Sequence, residues 1–236
     1  MFSFEGFLRI DRALRAMYRL AYLNLLWSLV TLSGLVVVGI GPASYALARY
    51  LDGWVRHGET PPPTKAFFQY VGERPLRSMS VGWVLLGAGA VIVTNVFLAP
   101  NWYFQFFNVV ALCALGVVAA YVFPLMSAIG LESHGRLFAA ALLVGLGSLH
   151  WTILAATASA VLLYALWQVA PLLAGVFGFG VPALAFALVT KSVLRELTPE
   201  AVAAASPAVV SPLIRRFSRP ATSSLTTQAT TKGLAR

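Results

Sequence analysis

The sequence predicts an all-α, polytopic helical membrane protein with about five transmembrane helices and additional interfacial amphipathic helices. Of its 236 residues, 59% are hydrophobic and 11% are charged, whereas a soluble domain carries about 25% charged residues. Five apolar runs each reach the roughly 20 residues that a helix needs to cross a bilayer. The 17 Lys and Arg outnumber the 8 Asp and Glu and flank those runs, as positive charge does beside membrane helices. The composition therefore excludes a soluble globular enzyme.

The chain begins with a predicted amphipathic helix over residues 3–19. Apolar side chains fall on one arc of this helix and basic side chains on the other: Phe4, Phe7, Ile10, Leu14, Met17 and Tyr18 against Arg9, Arg12, Arg15 and Arg19. Helices of this composition lie in the membrane interface instead of crossing it. We therefore expect the arginines to face anionic lipid headgroups.

Five membrane spans are predicted from the apolar runs: residues 20–40, 79–99, 102–131, 149–168 and 172–190. Pro124 and Pro182 predict kinks in the third and fifth spans. A single helix over residues 137–168 would be about 48 Å long, which is too long for one upright crossing. We expect a bend near Gly145 and Gly147, with the first part of that helix lying along the interface.

A polar stripe runs along the first predicted span. Asn24, Ser28 and Thr31 are spaced at i, i+4 and i+7, and Gly34 continues the same face. One interpretation is a stripe that faces a substrate. The favoured interpretation is a helix-packing face, because small residues let membrane helices approach closely and Asn24 can form a hydrogen bond across to another helix.

The exit from the first span is predicted to form an elbow. Proline lacks an N–H and disfavours helical geometry at the residue before it, so Gly41 and Pro42 should end the span. Residues 43–57 then predict an interfacial helix, with its apolar face toward lipid or a partner and its arginines toward headgroups. We expect this elbow to present a partner-binding surface, built from Trp27, Gly41, Pro42, Arg49, Trp54 and Arg56.

The predicted domains are a membrane domain over residues 1–197 and a tail over residues 198–236. Pro, Ala, Ser and Thr dominate the tail, which holds the basic residues Arg215, Arg216 and Arg219 but no helical period. This composition predicts a disordered tail. With five spans the two ends lie on opposite sides, and thirteen Lys and Arg fall on the C-terminal side against four on the N-terminal side. The positive-inside rule then favours a multi-pass protein of the plasma membrane with a cytoplasmic C-terminus and an external N-terminus.

Candidate catalytic groups are scarce in the sequence. His57, His134 and His150 are not spaced as a metal pair, and the phosphate-binding loop and the zinc-protease motif are both absent. No Asp or Glu falls within a predicted span, which argues against a carboxylate proton relay. We therefore expect no catalytic residue, no metal site and no cofactor. The fifth span holds three glycines, which favour close helix packing over nucleotide binding, namely Gly175, Gly178 and Gly180.

The N-terminal third resembles a known family. The segment Asn24-Leu25-Leu26-Trp27, then Gly41-Pro42-Ala43, Arg49 and finally Phe67-Phe68 are similar to the YesL-like family of small bacterial integral membrane proteins, classed as a domain of unknown function. The similarity covers about residues 5–195, with motif-like matches in the first 80. Gly72 and Pro75 depart from the family pattern and interrupt the segment after Phe68. The resemblance implies five spans and, because many members are encoded beside carbohydrate ABC importers, a link to sugar uptake.

Three classes of function remain open from the sequence. The favoured one is a non-catalytic accessory or regulatory subunit attached to a sugar ABC transporter permease. The second is a small transporter or channel that acts as a homo-oligomer, although no internal repeat of the kind found in transporters is visible. The third, a membrane-embedded enzyme, is least favoured. The expected partners are the lipid bilayer with its anionic headgroups and the permease, and no nucleic acid is expected.

Overall fold

The computed structural model describes residues 4–98, 101–129 and 133–197, and every regular element in these ranges is helical. The described helices belong to one compact unit as far as Leu194, and the last residues of α9 lie beyond it. In chain order the elements are α1 (Phe4–Ser33), α2 (Ile40–Asp52), a π-helical turn (Gly53–His57), α3 (Pro63–Glu73), α4 (Pro75–Leu98), α5 (Trp102–Ile129), α6 (His134–Gly147), α7 (Leu149–Val169), α8 (Pro171–Phe177) and α9 (Gly180–Leu197). The predicted disordered tail lies outside the described residues.

Three helices are long and apolar enough to cross a membrane, namely α4, α5 and α7. A fourth span is formed if α8 and α9 are taken together, since the pair is also long and apolar enough, with a bend of 42° between the two helices. The helical membrane architecture is therefore supported at three to four spans among the described residues, and the predicted count of five is not confirmed. The bend lies at Gly178 and Phe179, just before Pro182, and Pro124 lies inside the continuous α5.

The first predicted span is not a continuous helix. α1 joins the predicted interfacial helix to the start of the span and ends at Ser33, and residues 34–39 form turns before α2 begins at Ile40. A Cβ atom on Gly34 would lie 2.5 Å from the Cα atom of Gly39, so two glycines allow the chain to fold back tightly. The prediction of one helix over residues 20–40 is wrong, because hydropathy does not register this reversal.

The reversal contains two strained residues. Leu35 has a φ of 53° and Val36 a φ of 64°, which places both in the left-handed region that side chains rarely adopt. Both side chains are exposed, and Leu35 has 83% of its surface accessible. A β-branched residue in this conformation is a source of local strain.

Helix α2 occupies the centre of the bundle. All its residues from Gly41 to Asp52 are buried except Arg49, and it contacts α1, α3, α4 and α5. The prediction that residues 43–57 lie flat in the interface with one free face is therefore wrong. Gly41 and Pro42 begin α2 instead of ending a span, since proline is tolerated in the first turn of a helix, where its missing N–H has no partner to lose.

The close packing of α2 depends on the absence of a side chain at Gly41. A Cβ atom there would collide with the backbone carbonyl of Ser78 in α4. On the facing helix, a Cβ atom on Gly82 would lie 3.0 Å from the Cα atom of Gly41. The two glycines thus let α2 and α4 cross with their backbones nearly in contact.

The remaining boundaries agree better with the sequence. The predicted bend before the fourth span is confirmed, because α6 ends at Gly147 and α7 begins at Leu149. In addition, α6 packs on α5, with Leu137 and Ala141 fully buried. The interruption expected near Gly72 and Pro75 is also present, as α3 ends at Glu73 and α4 starts at Pro75.

Candidate functional site

Asn24 connects α1 to the break between α8 and α9. Its side chain is 2% exposed, and its Nδ2 donates hydrogen bonds to the backbone carbonyls of Gly175 (3.2 Å) and Val176 (2.6 Å). Its Oδ1 accepts a hydrogen bond from the backbone N–H of Gly180 at 3.0 Å. A bent helix leaves backbone groups unpaired at the bend, and the amide of Asn24 satisfies three of them.

Trp27 lies one turn further along α1 and reaches the same region. Its ring stacks on Phe179, with centroids 4.1 Å apart and planes 9° apart. Its Nε1 donates a hydrogen bond to the Oγ atom of Ser44 in α2 at 3.1 Å. Trp27 therefore links the start of α2 to the bend between α8 and α9, as an internal contact and not as part of an exposed elbow.

The other residues of the predicted packing stripe have different environments. Ser28 is half-buried. Thr31 is 5% exposed, and its hydroxyl has no hydrogen-bond partner among the described residues. Gly34 permits the tight turn toward Gly39, as described above, and does not lie at a helix crossing. The stripe is thus a packing face at Asn24 and Thr31 and a turn at Gly34.

The polar end of α2 holds a buried carboxylate between two arginines. Asp52 lies 3.1 Å from the guanidinium of Arg56 and 3.8 Å from that of Arg49, measured from oxygen to nitrogen. The side chain of Asp52 is 9% exposed, so both arginines compensate its charge where water is scarce. The guanidinium carbon of Arg49 also lies 5.8 Å from the ring centre of Tyr70 in α3.

Two further basic residues reach the π-helical turn from other helices. The guanidinium carbon of Arg19 lies 5.2 Å from the ring centre of Trp54, within the range of a cation–π interaction. The Nζ atom of Lys191 in α9 donates a hydrogen bond of 2.6 Å to the carbonyl of Val55. We call the set Arg19, Arg49, Trp54, Arg56 and Lys191 the basic end. Lys191 was not among the predicted site residues, since its signal in the sequence is its place after the last apolar run.

Helix α3 is held against this end by tyrosine hydroxyls. The hydroxyl of Tyr45 donates a hydrogen bond to Glu73 at 3.2 Å, and the hydroxyl of Tyr50 donates one to the carbonyl of Pro61 at 3.0 Å. The hydroxyls of Tyr22 and Thr64 are 2.8 Å apart. Burial, followed by the nearby charge of Glu73, raises the pKa of Tyr45 above its ordinary value, so its hydroxyl remains a donor at neutral pH.

An apolar cavity of about 370 Å³ lies between α2, α4, α5 and the bent pair. Its wall includes the side chains of Leu47, Leu85, Phe123 and Phe186. Among the described residues, no three His, Cys, Asp or Glu side chains come together as a metal site. His134 instead has its Nε2 atom 2.9 Å from the hydroxyl of Ser80. The cavity could not be recognised from the sequence, because its wall residues come from distant segments.

Comparison with known proteins gives a family match in the N-terminal part and matches to curated proteins. Residues 20–96 match the family described as "Protein of unknown function, DUF624". The chain is 37% identical over 114 residues to "Uncharacterized protein YteU" of Bacillus subtilis (strain 168), covering 46% of this chain and 51% of that protein. It is 29% identical over 123 residues to "Uncharacterized protein YesL" of the same organism, covering 46% and 54%. The chain thus spans about half the length of the curated relatives it matches. No solved structure matches it.

Proposed function

We propose, on the premise that residues 20–96 form a DUF624 domain of the YesL-like family, that the chain is a non-catalytic integral membrane protein that serves carbohydrate ABC uptake as an accessory or regulatory subunit. One observation carries the proposal: the matched segment forms a packed platform, α2 to α3, that presents basic side chains at one end. The link to a sugar importer rests on the family resemblance.

The platform offers a partner a rigid, basic surface. Burial of α2 and the hydrogen bonds of Tyr45 and Tyr50 hold α3 in place. The exposed basic residues Arg56, Lys65 and Arg74 outnumber the exposed acidic residues Glu59 and Glu73 on this platform. A surface of this kind favours acidic protein segments or anionic headgroups as contacts. A cytoplasmic loop of a permease is the protein partner that we infer.

Both ends of the described bundle are proposed to face the cytoplasm. Arg19 in α1 and Lys191 in α9 both contact the π-helical turn. These contacts support a position on the same side of the membrane for the part of α1 around Arg19 and the end of α9. The turn after α1 reaches only the first third of α4, where the Nε1 atom of Trp83 donates to the carbonyl of Val37 at 2.8 Å. That position is about 12 Å from the start of α4, well short of a hydrocarbon core about 30 Å thick.

This arrangement makes α1 and α2 a re-entrant hairpin and leaves four spans. It also places the two basic ends of the chain on the same side of the membrane, whereas five spans would place them on opposite sides. The sequence contains no Lys or Arg between Ser78 and Gly135 or between Leu137 and Thr190, so all 17 basic residues belong to segments on one side of a four-span bundle. The positive-inside rule then favours the cytoplasm for that side, in place of the external N-terminus inferred from five spans.

Labelling of single cysteines tests the topology. In a Cys113→Ala background, we place cysteine at Ala13 in α1, at Gln69 in α3 or at Asn101 beyond α4, all of which are exposed. A maleimide that cannot cross membranes should label only Asn101→Cys in intact cells, and all three after permeabilisation. Labelling of Ala13→Cys in intact cells would show that α1 crosses the membrane.

Affinity purification tests the importer proposal. The double charge reversal Lys65→Glu and Arg74→Glu should reduce recovery of a co-purifying permease several-fold. Arg15→Glu is the matched control, because Arg15 is exposed and forms an ion pair with Asp11 on the surface of α1, a contact worth little. Unchanged recovery with the double variant, or no permease with the wild-type chain, contradicts the proposal.

One observation favours the alternative of a small oligomeric transporter. Transporters commonly place ligands at discontinuous helices, and the pair α8–α9 is bent by 42°. In this chain the side chain of Asn24 already occupies the backbone groups at the bend. Solute flux into proteoliposomes that hold the purified chain alone would favour transport over an accessory role.

A further inference from the structure

The apolar cavity between α2, α4, α5 and the bent pair is a binding site that the proposed function does not use. Its volume of about 370 Å³ falls within the range of about 300–1,000 Å³ typical of ligand pockets. Among the residues that form its wall, the only polar side chain is Ser44. Since the Oγ atom of Ser44 already accepts a hydrogen bond from Trp27, the wall selects a ligand that requires little polar contact.

The position of the opening identifies the source of such a ligand. Wall residues Leu86, Gly116, Ala119 and Phe179 are exposed, and three of them lie on the spanning helices α4 and α5. The outward faces of these two helices are mainly apolar, with exposed Val84, Val91, Phe97, Phe107, Val109 and Val110. The opening is therefore on the surface that meets the hydrocarbon of a bilayer, where the available ligands are lipid chains.

We propose that this cavity binds one acyl chain of a membrane phospholipid, which enters sideways between α4, α5 and the bend before α9. The acyl chain contacts Leu85 and Leu86 on one side and Phe179 and Phe186 on the other. Because Phe179 also stacks on Trp27, a bound acyl chain contacts one of the residues that link α1 to the bend. The site is independent of any importer partner.

A single substitution can fill the cavity without disturbing its wall. A Cβ atom on Gly116 would meet no atom within 4 Å, so the side chain of Gly116→Leu enters open space. Gly82 is unsuited to this purpose, because a Cβ atom there would press on the backbone of Gly41. The matched control is Gly87→Leu, since Gly87 is exposed on α4, meets no atom within 4 Å and does not belong to the cavity wall.

Photo-crosslinking tests the proposal in the full chain reconstituted in nanodiscs. The probe is a phosphatidylglycerol with a diazirine in one acyl chain, followed by peptide mapping. We expect labelling of the cavity wall in the wild-type chain and in Gly87→Leu, and a several-fold loss of that labelling in Gly116→Leu, with labelling of Val91 and Phe97 unchanged. Ala119→Leu, also on the wall, serves as a second filling variant if Gly116→Leu folds poorly by circular dichroism.

Two outcomes overturn the proposal. One is wall labelling that is no stronger than labelling of the outward residues Val91 and Phe97, which would indicate surface lipid only. The other is equal wall labelling in the wild-type chain and in a folded filling variant. A lowered melting temperature of delipidated wild-type chain, restored by phosphatidylglycerol but not in Gly116→Leu, supports the site by an independent measurement.

Discussion

At the scale of single residues, the sequence predicted that Asn24 must be paired but not with what. A buried amide in an apolar helix is costly unless its polar atoms form hydrogen bonds, so a packing role followed from its type and position. Its partners are backbone groups at Gly175, Val176 and Gly180. Those groups are free only because α8 and α9 are separated by a bend, and the residue pattern of an apolar run does not reveal unpaired carbonyls.

We predict that Asn24→Leu destabilises the bundle by about 1–3 kcal/mol, because it leaves two carbonyls and one N–H without partners. Asn95→Leu is the control, since Asn95 is exposed on α4 and its replacement should change stability little. Thermal melting in detergent, followed by circular dichroism, measures both. Equal melting temperatures for the two variants would show that the hydrogen bonds of Asn24 contribute nothing.

At the scale of elements, the ends of several helices could be predicted from the sequence, whereas the packing of the helices could not. The interruption near Gly72 and Pro75 and the break after α6 were predicted correctly, because glycine and proline act on the backbone locally. The fold-back of α1 on α2 was missed, since residues 34–39 are as apolar as a span and differ from one only through two glycines. The burial of α2 was also missed, because its arginines suggested a free polar face while they pair with Asp52 and stack on Tyr70.

The strained turn gives a prediction at this scale. Val36→Gly should raise stability by about 1 kcal/mol, because glycine adopts a left-handed φ without the cost that a β-branched residue incurs. Val37→Gly is the matched control, since Val37 is not among the residues with positive φ and glycine there only adds freedom to the unfolded chain. The melting temperatures of the two variants should move in opposite directions.

The crossing of α2 and α4 gives a second prediction. Gly41→Ala should lower stability by about 1–3 kcal/mol, as overpacking does, because its methyl group meets the backbone of α4 and backbone cannot move aside easily. Gly72→Ala, in α3, has open space around its Cβ position and should be neutral or slightly stabilising. Denaturation in detergent with increasing sodium dodecyl sulfate compares the two variants, and a stable Gly41→Ala chain would contradict the described crossing.

At the scale of the whole molecule, composition predicted a helical membrane protein, but hydropathy alone did not give the number of spans: three to four of the described helices or helix pairs can cross a membrane, against five predicted. The odd count of five separated two basic ends that an even count brings together. No local property distinguishes an apolar segment that crosses a bilayer from one that enters and returns, because both need the same hydrophobicity. The contacts of Arg19 and Lys191 with one π-helical turn support the four-span arrangement that we propose.

Removal of residues 198–236 is predicted from composition to leave insertion and melting temperature unchanged. The segment has no apolar period that could pack on a bundle, and polar segments of this kind tolerate truncation. A chain ending at Leu197 can be compared with the full chain by membrane fractionation and thermal melting. A clear fall in melting temperature on truncation would show that these residues contribute to the fold.

The hydrogen bonds of Asn24 also set an order of events during biosynthesis. Its partners lie 151, 152 and 156 positions later in the chain. At translation rates of roughly 5–20 residues per second, these partners are synthesised on the order of 10–30 s after Asn24. Throughout that interval the backbone partners that Asn24 has in the folded bundle are absent. A chain that lacks α8 and α9 therefore leaves the amide of Asn24 without the backbone partners that it has in the bundle, which is costly for a buried polar group.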